Sequence, residues 1–271
     1  MDLLIWLISA ALTVSVLYVL LIMGRKGHSG LEKLKGWKYA HRGLHGNGVP
    51  ENSMQAFRLA LEKGYGIELD VHLMRDGNLA VIHDASLKRT AGEDILIEDL
   101  SAEDLERYHL EGTQEKIPLF RDVLDLYAGK APLIVELKAE KGNAAALTDA
   151  TCKMLDSYDG AYCLESFDPR CIIWLRKNRP ELVRGQLSED WFRSTLRLPW
   201  ILKAILTFHL SNVLLYPDFI SYKFAHRHTF GTDLCRKIWG VQGVTWTLKT
   251  QEELDTAMQE GWIPIFEGFE P

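Results

Sequence analysis

The sequence predicts an α/β fold: a closed (β/α)8 barrel with a small insertion after its second strand, preceded by one transmembrane helix. Three observations carry the prediction. Eight short apolar, β-rich runs fall at 37–41, 66–71, 133–138, 161–165, 183–187, 218–222, 242–246 and 263–267. Most of the gaps between them hold helical patterns, and strands alternating with helices give a parallel sheet with active groups at its C-terminal strand ends. Ahead of them lies an uncharged run, Leu3 to Met23. A doubly wound open sheet is the rival arrangement, but no GxGxxG follows the first strand.

Size and composition agree with one barrel. A chain of 271 residues with 47% hydrophobic and 25% charged residues can bury a large core and is not disordered. A net charge of -6 leaves no basic excess for neutralising phosphates, which argues against a nucleic-acid partner. Cys152, Cys163, Cys171 and Cys235 follow no CxxC pattern and read as free packing thiols.

Taken in order, residues 1–23 read as a membrane anchor, since an uncharged run of this length crosses a bilayer core. A cleaved signal peptide would start basic and carry a shorter apolar stretch, whereas this chain begins Met1-Asp2. Arg25, Lys26, Lys33, Lys35 and Lys38 follow the run, so the positive-inside rule places the body of a single-pass protein in the cytoplasm. Residues 24–36 read as a short basic tether, and 37–271 as the barrel. After the first strand, Glu51-Asn52-Ser53 offers N-cap candidates for a helix that Gly64 closes. In "GIELDVHLMRDGNLAVIHD" strand character flanks Asp76-Gly77, a hairpin signal that pairs position 70, or 68, with 83. The insertion, about 72–116, is then an antiparallel arm followed by a polar, acidic stretch. "FRDVLDLYAG", "AAALTDATCKMLDSY" and "PRCIIWLRKNRP" supply later helices. A second apolar stretch, Leu196 to Phe219, holds Lys203, His209 and Asn212 between Pro199 and Pro217. A second span there would split the barrel across the bilayer. It reads either as an ordinary barrel helix or as an interfacial segment near the active-site mouth.

The chemistry-bearing residues lie at strand ends. Glu68 and Asp70 are two apart on a strand and share one face, with Ile67, Leu69 and Val71 opposite. Two like charges inside a barrel need a cation between them: a lysine or arginine in one reading, a divalent metal in the other. Glu136 and Lys138 repeat the device, as a third metal carboxylate and a phosphate contact, or as a buried ion pair. His41 and His83, each at a strand end, suit a pair that removes one proton and delivers another. Arg42 would hold phosphate oxygens in its fork. The remaining histidines read as structural.

In order along the chain, HRG (41–43), PEN (50–52), ELD (68–70), DG (76–77), HD (83–84), ELK (136–138) and SF (166–167) resemble the glycerophosphodiester phosphodiesterase family. The resemblance covers about Trp37 to Trp246. It implies a TIM barrel that hydrolyses glycerophosphodiesters to glycerol 3-phosphate and an alcohol. By the same resemblance His41 and His83 are the general acid/base pair. Glu68, Asp70 and Glu136 bind one divalent ion, Ca2+ or Mg2+ with Mn2+ as a further candidate. Arg42 and Lys138 contact phosphate, Glu51 lies close by, and Trp246 packs on the alcohol. The family's closing Thr-Asp-x-Pro-like segment is replaced here by "IFEGFEP", so no role falls to Glu267. The anchor adds a close alternative, lysophospholipase D-type cleavage of membrane lysophospholipids. A membrane-tethered barrel that binds phosphodiesters without turnover is the third reading, opposed by the complete histidine and carboxylate set.

Overall fold

The computed structural model of the chain describes residues 2–271, so Met1 of the expected anchor lies outside the described residues. Nine strands form, namely β1 (Tyr39–His41), β2 (Gly66–Leu73), β3 (Leu79–Val81), β4 (Leu133–Leu137), β5 (Tyr162–Ser166), β6 (Arg184–Ser188), β7 (Phe219–Lys223), β8 (Gln242–Leu248) and β9 (Trp262–Phe266). All except β3 run parallel, and β1 pairs with both β2 and β9, which closes an eight-stranded barrel. The eight expected runs are these eight strands.

Strand alternation then divides the barrel into layers. Tyr39, Ile134, Cys163, Phe219, Val244 and Ile263 pack together at the base of the interior. Two residues further along the same strands stand His41, Glu136, Glu165, Ser221, Trp246 and Ile265. The outward positions of β2 and β4, including Ile67, Leu69, Val71, Val135 and Leu137, are buried under the surrounding helices. The helix Met54–Glu62 is capped by the Ser53 hydroxyl, which accepts from the Ala56 amide at 3.1 Å.

The arm β3 is antiparallel to β2, as expected, but with Val71 opposite Val81. Its neighbour in this register puts Asp70 opposite Ile82, not opposite His83. The cause lies in the turn. The Gly77 amide bonds the Met74 carbonyl and Met74 in turn bonds Asn78, with only Gly77 at positive φ (85°). Three residues therefore make the loop instead of two, and each extra loop residue moves the register by one. The stretch after the arm is less polar inside than its composition suggests. Met74, Ile82, Leu87, Ile97, Leu105 and Leu110 bury one another in a small core of their own.

A second difference concerns residues 24–36, expected as a short basic tether. The Arg25 guanidinium holds Asp218 and donates to the Leu182 carbonyl, at the N-terminal ends of β7 and β6. Leu31 and Leu34 are buried in the base layer of the barrel. The reason is amphipathicity: two leucines three apart on a short helical turn close the open bottom of the barrel while Lys33 and Lys35 stay in solvent. The helix Asp2–Leu21 is long and apolar enough to cross a membrane. The stretch 196–219 is broken into two short helices, Trp200–Thr207 and Asn212–Leu215, with buried Leu206 and Leu215 facing the barrel.

Leu34→Ala tests whether 24–36 belongs to the fold. A core leucine is worth about 2–5 kcal/mol, so thermal unfolding of the detergent-solubilised chain should occur several degrees lower; an unchanged Tm would mean a tether.

Candidate active site

At the end of β1 the chain turns sharply. Arg42 and Gly43 both have positive φ (53° and 82°), a backbone state costly for arginine and free for glycine. The turn aims the Arg42 amide at Glu68 Oε2, 3.2 Å away, and its guanidinium at Glu51 Oε1, 2.9 Å away. A side chain at Gly43 would collide with Ala56 at 2.8 Å, so the turn also lets the helix Met54–Glu62 approach.

The barrel mouth brings together every residue singled out in the sequence. A small cavity of about 50 Å³ is lined by His41, Arg42, Glu68, His83, Glu136 and Trp246, together with Glu165, Phe167, Leu187 and Ile265. Just past the end of β4, Lys138 Nζ lies 2.8 Å from Glu136 and 3.1 Å from Asp70. Arg42 Nε lies 3.5 Å from Asp70. Glu51 also receives a hydrogen bond from Arg89, at 2.6 Å.

Each histidine has one ring nitrogen tied down. His41 Nδ1 bonds Glu267 at 2.7 Å, and His83 Nδ1 bonds Asp84 at 2.6 Å. Among the described residues no hydrogen bond uses Nε2 of either ring. Burial pushes both rings below the usual histidine value, His41 against its bond to Glu267 and His83 against the charge of Asp70. Burial thus favours the neutral, proton-accepting form of each ring, and the carboxylate beside it favours the protonated, proton-donating form. The His41 hydrogen bond holds Glu267 ionised, well below the ordinary carboxylate range. Burial of Asp84 is outweighed by its bonds to Arg89 and His83, which hold it at about 2.

Four residues of the site escape the sequence reading. Glu267, to which the sequence assigns no role, orients His41 and lies 3.9 Å from His45. Its signal is an acid directly after the last barrel strand. Glu165, opposite Glu136 in the β4–β5 register, adds a fourth buried carboxylate. Asn52 donates to Asp70 at 2.8 Å. His72, one of the histidines that read as structural, is clamped by Glu98 at 2.6 Å and lies 3.2 Å from the His83 carbonyl through Nε2. It supports the loop that carries His83.

Ligand oxygens of Glu68, Asp70 and Glu136 lie within 4.8 Å of one another. Three hard oxygen donors in one buried spot fit a divalent cation. The electrostatics fit as well. Burial, together with the charges of Asp70 and Glu136, pushes Glu68 well above the usual carboxylate range. Burial also raises Glu136 to about 7, although Lys138 opposes it. Asp70 alone is held low: burial is outweighed by Lys138, His83 and Arg42. The cationic side chains thus leave part of the negative charge unbalanced, and Glu165 Oε2 is buried without a hydrogen bond.

A closed barrel with paired histidines, clustered carboxylates and two cations at its strand ends is equipped for hydrolysis of a phosphoric diester. The chain belongs to the glycerophosphoryl diester phosphodiesterase family, whose model matches residues 41–266. It is 27% identical over 235 residues to the glycerophosphodiester phosphodiesterase of Caldanaerobacter subterraneus, covering 82% of this chain and 89% of that one. A glycerophosphodiester phosphodiesterase of Bacillus altitudinis is 42% identical over 107 residues, a match spanning 37% of this chain and 43% of the relative. The fold matches that of an Oleispira antarctica phosphodiesterase solved with sn-glycerol-3-phosphate, with a TM-score of 0.69 at 22% identity over 85% of this chain and 92% of that one.

A cation entering this trio must displace the protons that Glu68 and Glu136 retain. Its binding therefore strengthens as pH rises through the range in which Glu136, raised to about 7, gives up its proton. Added Ca2+ or Mg2+ should raise the Tm of the EDTA-treated chain more at about pH 7.5 than at about pH 5.5, the stabilisation of a native state by its ligand. Equal shifts at both pH values would contradict the assignment.

Proposed function

We propose that the chain hydrolyses glycerophosphodiesters to glycerol 3-phosphate and an alcohol by general acid–base catalysis between His41 and His83. The observation that carries this reading is the pair of imidazoles lining one cavity, each held at Nδ1 by a carboxylate with Nε2 left to handle protons. Family membership supports the reaction class.

Glu68, Asp70 and Glu136 would hold one divalent ion, Ca2+ or Mg2+, which supplies positive charge to phosphate oxygens. Arg42 and Lys138 are the side chains that add hydrogen-bond donors to those oxygens. One imidazole removes the proton from the oxygen attacking phosphorus, whether from water or from a neighbouring substrate hydroxyl. As that P–O bond forms and the opposite one breaks, the other histidine, which enters the step as the imidazolium paired with its carboxylate, gives its Nε2 proton to the departing alkoxide. Glu267 and Asp84 fix the tautomers and stabilise each imidazolium as it forms. Trp246 and Phe167, edge to face at 5.7 Å, form the apolar wall on which the alcohol rests.

The helix Asp2–Leu21 reads as a single-pass membrane anchor with the barrel on the cytoplasmic side, supported by its length, its hydropathy and the basic flank. A membrane-held enzyme meets lipids as well as soluble diesters. Lysophospholipase D-type cleavage is therefore the second reading, supported by the aromatic wall beside the phosphate site.

His41→Ala and His83→Ala should each lower kcat for glycerol 3-phosphate release by about 10²–10⁴-fold with Tm retained. Full activity of either variant would remove that histidine from the mechanism. Glu267→Gln keeps the shape but removes the charge, and should lower kcat about 10–100-fold with KM little changed. Release of lysophosphatidic acid from lysophospholipids, faster than glycerol 3-phosphate from soluble diesters, would favour the second reading.

A further inference from the structure

We propose that the C-terminal face of the barrel, with the active-site mouth, docks against the lipid bilayer through an aromatic patch built on the 189–208 excursion. The proposal rests on reading Asp2–Leu21 as a membrane anchor, and three observations take it further.

The first is the direction of the anchor along the barrel. Arg25 is fixed at Asp218 and Pro217, just below the start of β7. Ile22 is buried, its carbonyl accepting from Cys235 and Asn212. Tyr18 reaches higher: its hydroxyl donates to the Phe208 carbonyl at 3.3 Å and its ring stacks on Phe230 at 5.9 Å. Phe208 belongs to the upper level, because the adjoining Leu206 carbonyl and Thr207 hydroxyl bond Ser188 and Trp191 at the end of β6. Followed from Arg25 back to Tyr18, the chain climbs the side of the barrel from base to mouth. The exposed remainder of the helix therefore leaves on the active-site side.

The second observation is length. The free part, Asp2–Leu17, is sixteen residues of helix. At 1.5 Å per residue it spans about 24 Å, short of the roughly 30 Å of a hydrocarbon core. So short a helix leaves no gap between barrel and bilayer, which sets the level of Tyr18 and Phe208 at the membrane boundary, the remaining mismatch being taken up by local thinning.

The third is what stands at that level. Trp200 is 72% exposed and Phe230 is 70% exposed, with Phe192, Leu196 and Ile201 each more than half exposed. Phe192 packs on Phe208 at 6.2 Å, which joins the patch to the anchor. Its neighbour Trp191 packs on Phe167 at 5.7 Å, which joins it to the wall of the catalytic cavity. Arg197 and Lys203 lie among these residues and form no ion pair among the described residues, as suits anionic headgroups. Large aromatics beside basic side chains are the composition of an interfacial surface. A lipid whose chain stays in the membrane would then present its phosphate directly to His41 and His83.

The test uses the whole chain in vesicles of phosphatidylcholine and phosphatidylglycerol. The four native cysteines are buried, so single variants Leu7→Cys, Trp200→Cys and Lys33→Cys can carry a fluorophore for depth-dependent quenching by spin-labelled lipids. Position 7 should be quenched by deep labels, position 200 by shallow ones, and position 33 at the barrel base by neither. Quenching at 33 in place of 200, or at neither while 7 is quenched, overturns the docking but leaves the anchor standing. An unquenched position 7 overturns the anchor and the docking together. As a second arm, Trp200→Ser with Ile201→Ser should lower turnover of vesicle-embedded lysophospholipid several-fold while leaving soluble glycerophosphocholine unaffected. Equal turnover of both substrates, or equal loss on both, contradicts the proposal.

Discussion

The fold turns on one constraint: carboxylates forced together inside a barrel. Glu68, Asp70, Glu136 and Glu165 come from three adjacent strands and are all buried. Nothing about a closed parallel barrel makes such a cluster favourable, because each ion loses its hydration and repels the next. Around it the chain places Lys138 and Arg42 on Asp70, and leaves Glu68 and Glu136 with proton affinities raised by burial. A divalent ion would complete the balance, and its charge is also what a phosphodiester's oxygens seek. Stability and chemistry meet at the same residues.

From this centre an alternating chain of charges runs outward. Asp70 meets Arg42, Arg42 meets Glu51, Glu51 meets Arg89, Arg89 meets Asp84, and Asp84 holds His83. The inner pairs are buried, so losing one partner leaves a charge uncompensated, a loss of about 3–5 kcal/mol. The outer pairs involve the half-exposed Arg89 and act mainly to position. The insertion, with its own small core, is the rigid block on which His83 is mounted opposite His41. That explains why β3 and the stretch beyond it are packed rather than left as a loop.

The sequence makes the strands legible because most are apolar runs, and on β1, β2, β4 and β5 the inward positions near the C-terminal end turn polar. Glu68 and Asp70 two apart, and Glu136 and Lys138 two apart, announce a shared face by their spacing alone. What escapes is set by contacts distant in the chain. Glu267 reaches His41 only because β9 closes against β1, 226 residues away in sequence. Leu31 and Leu34 look like a spacer until the barrel's open base is there to receive them. Glu165 reads as one more strand residue until the β4–β5 register sets it beside Glu136. The hairpin register differs by one from the expected pairing because a glycine at positive φ admits a three-residue loop where Asp-Gly suggests two.

The two cation-ready groupings in this barrel differ in chemistry: an all-carboxylate trio on β2 and β4, and a mixed set of His41, His45 and Glu267. The proposed mechanism needs the first to hold the metal and the second to handle protons. Anomalous diffraction from crystals soaked in Mn2+ decides between them directly. A single strong peak bounded by Glu68, Asp70 and Glu136 is the result expected. A peak on His41 and Glu267, with none among the carboxylates, would contradict the division of labour on which the mechanism rests.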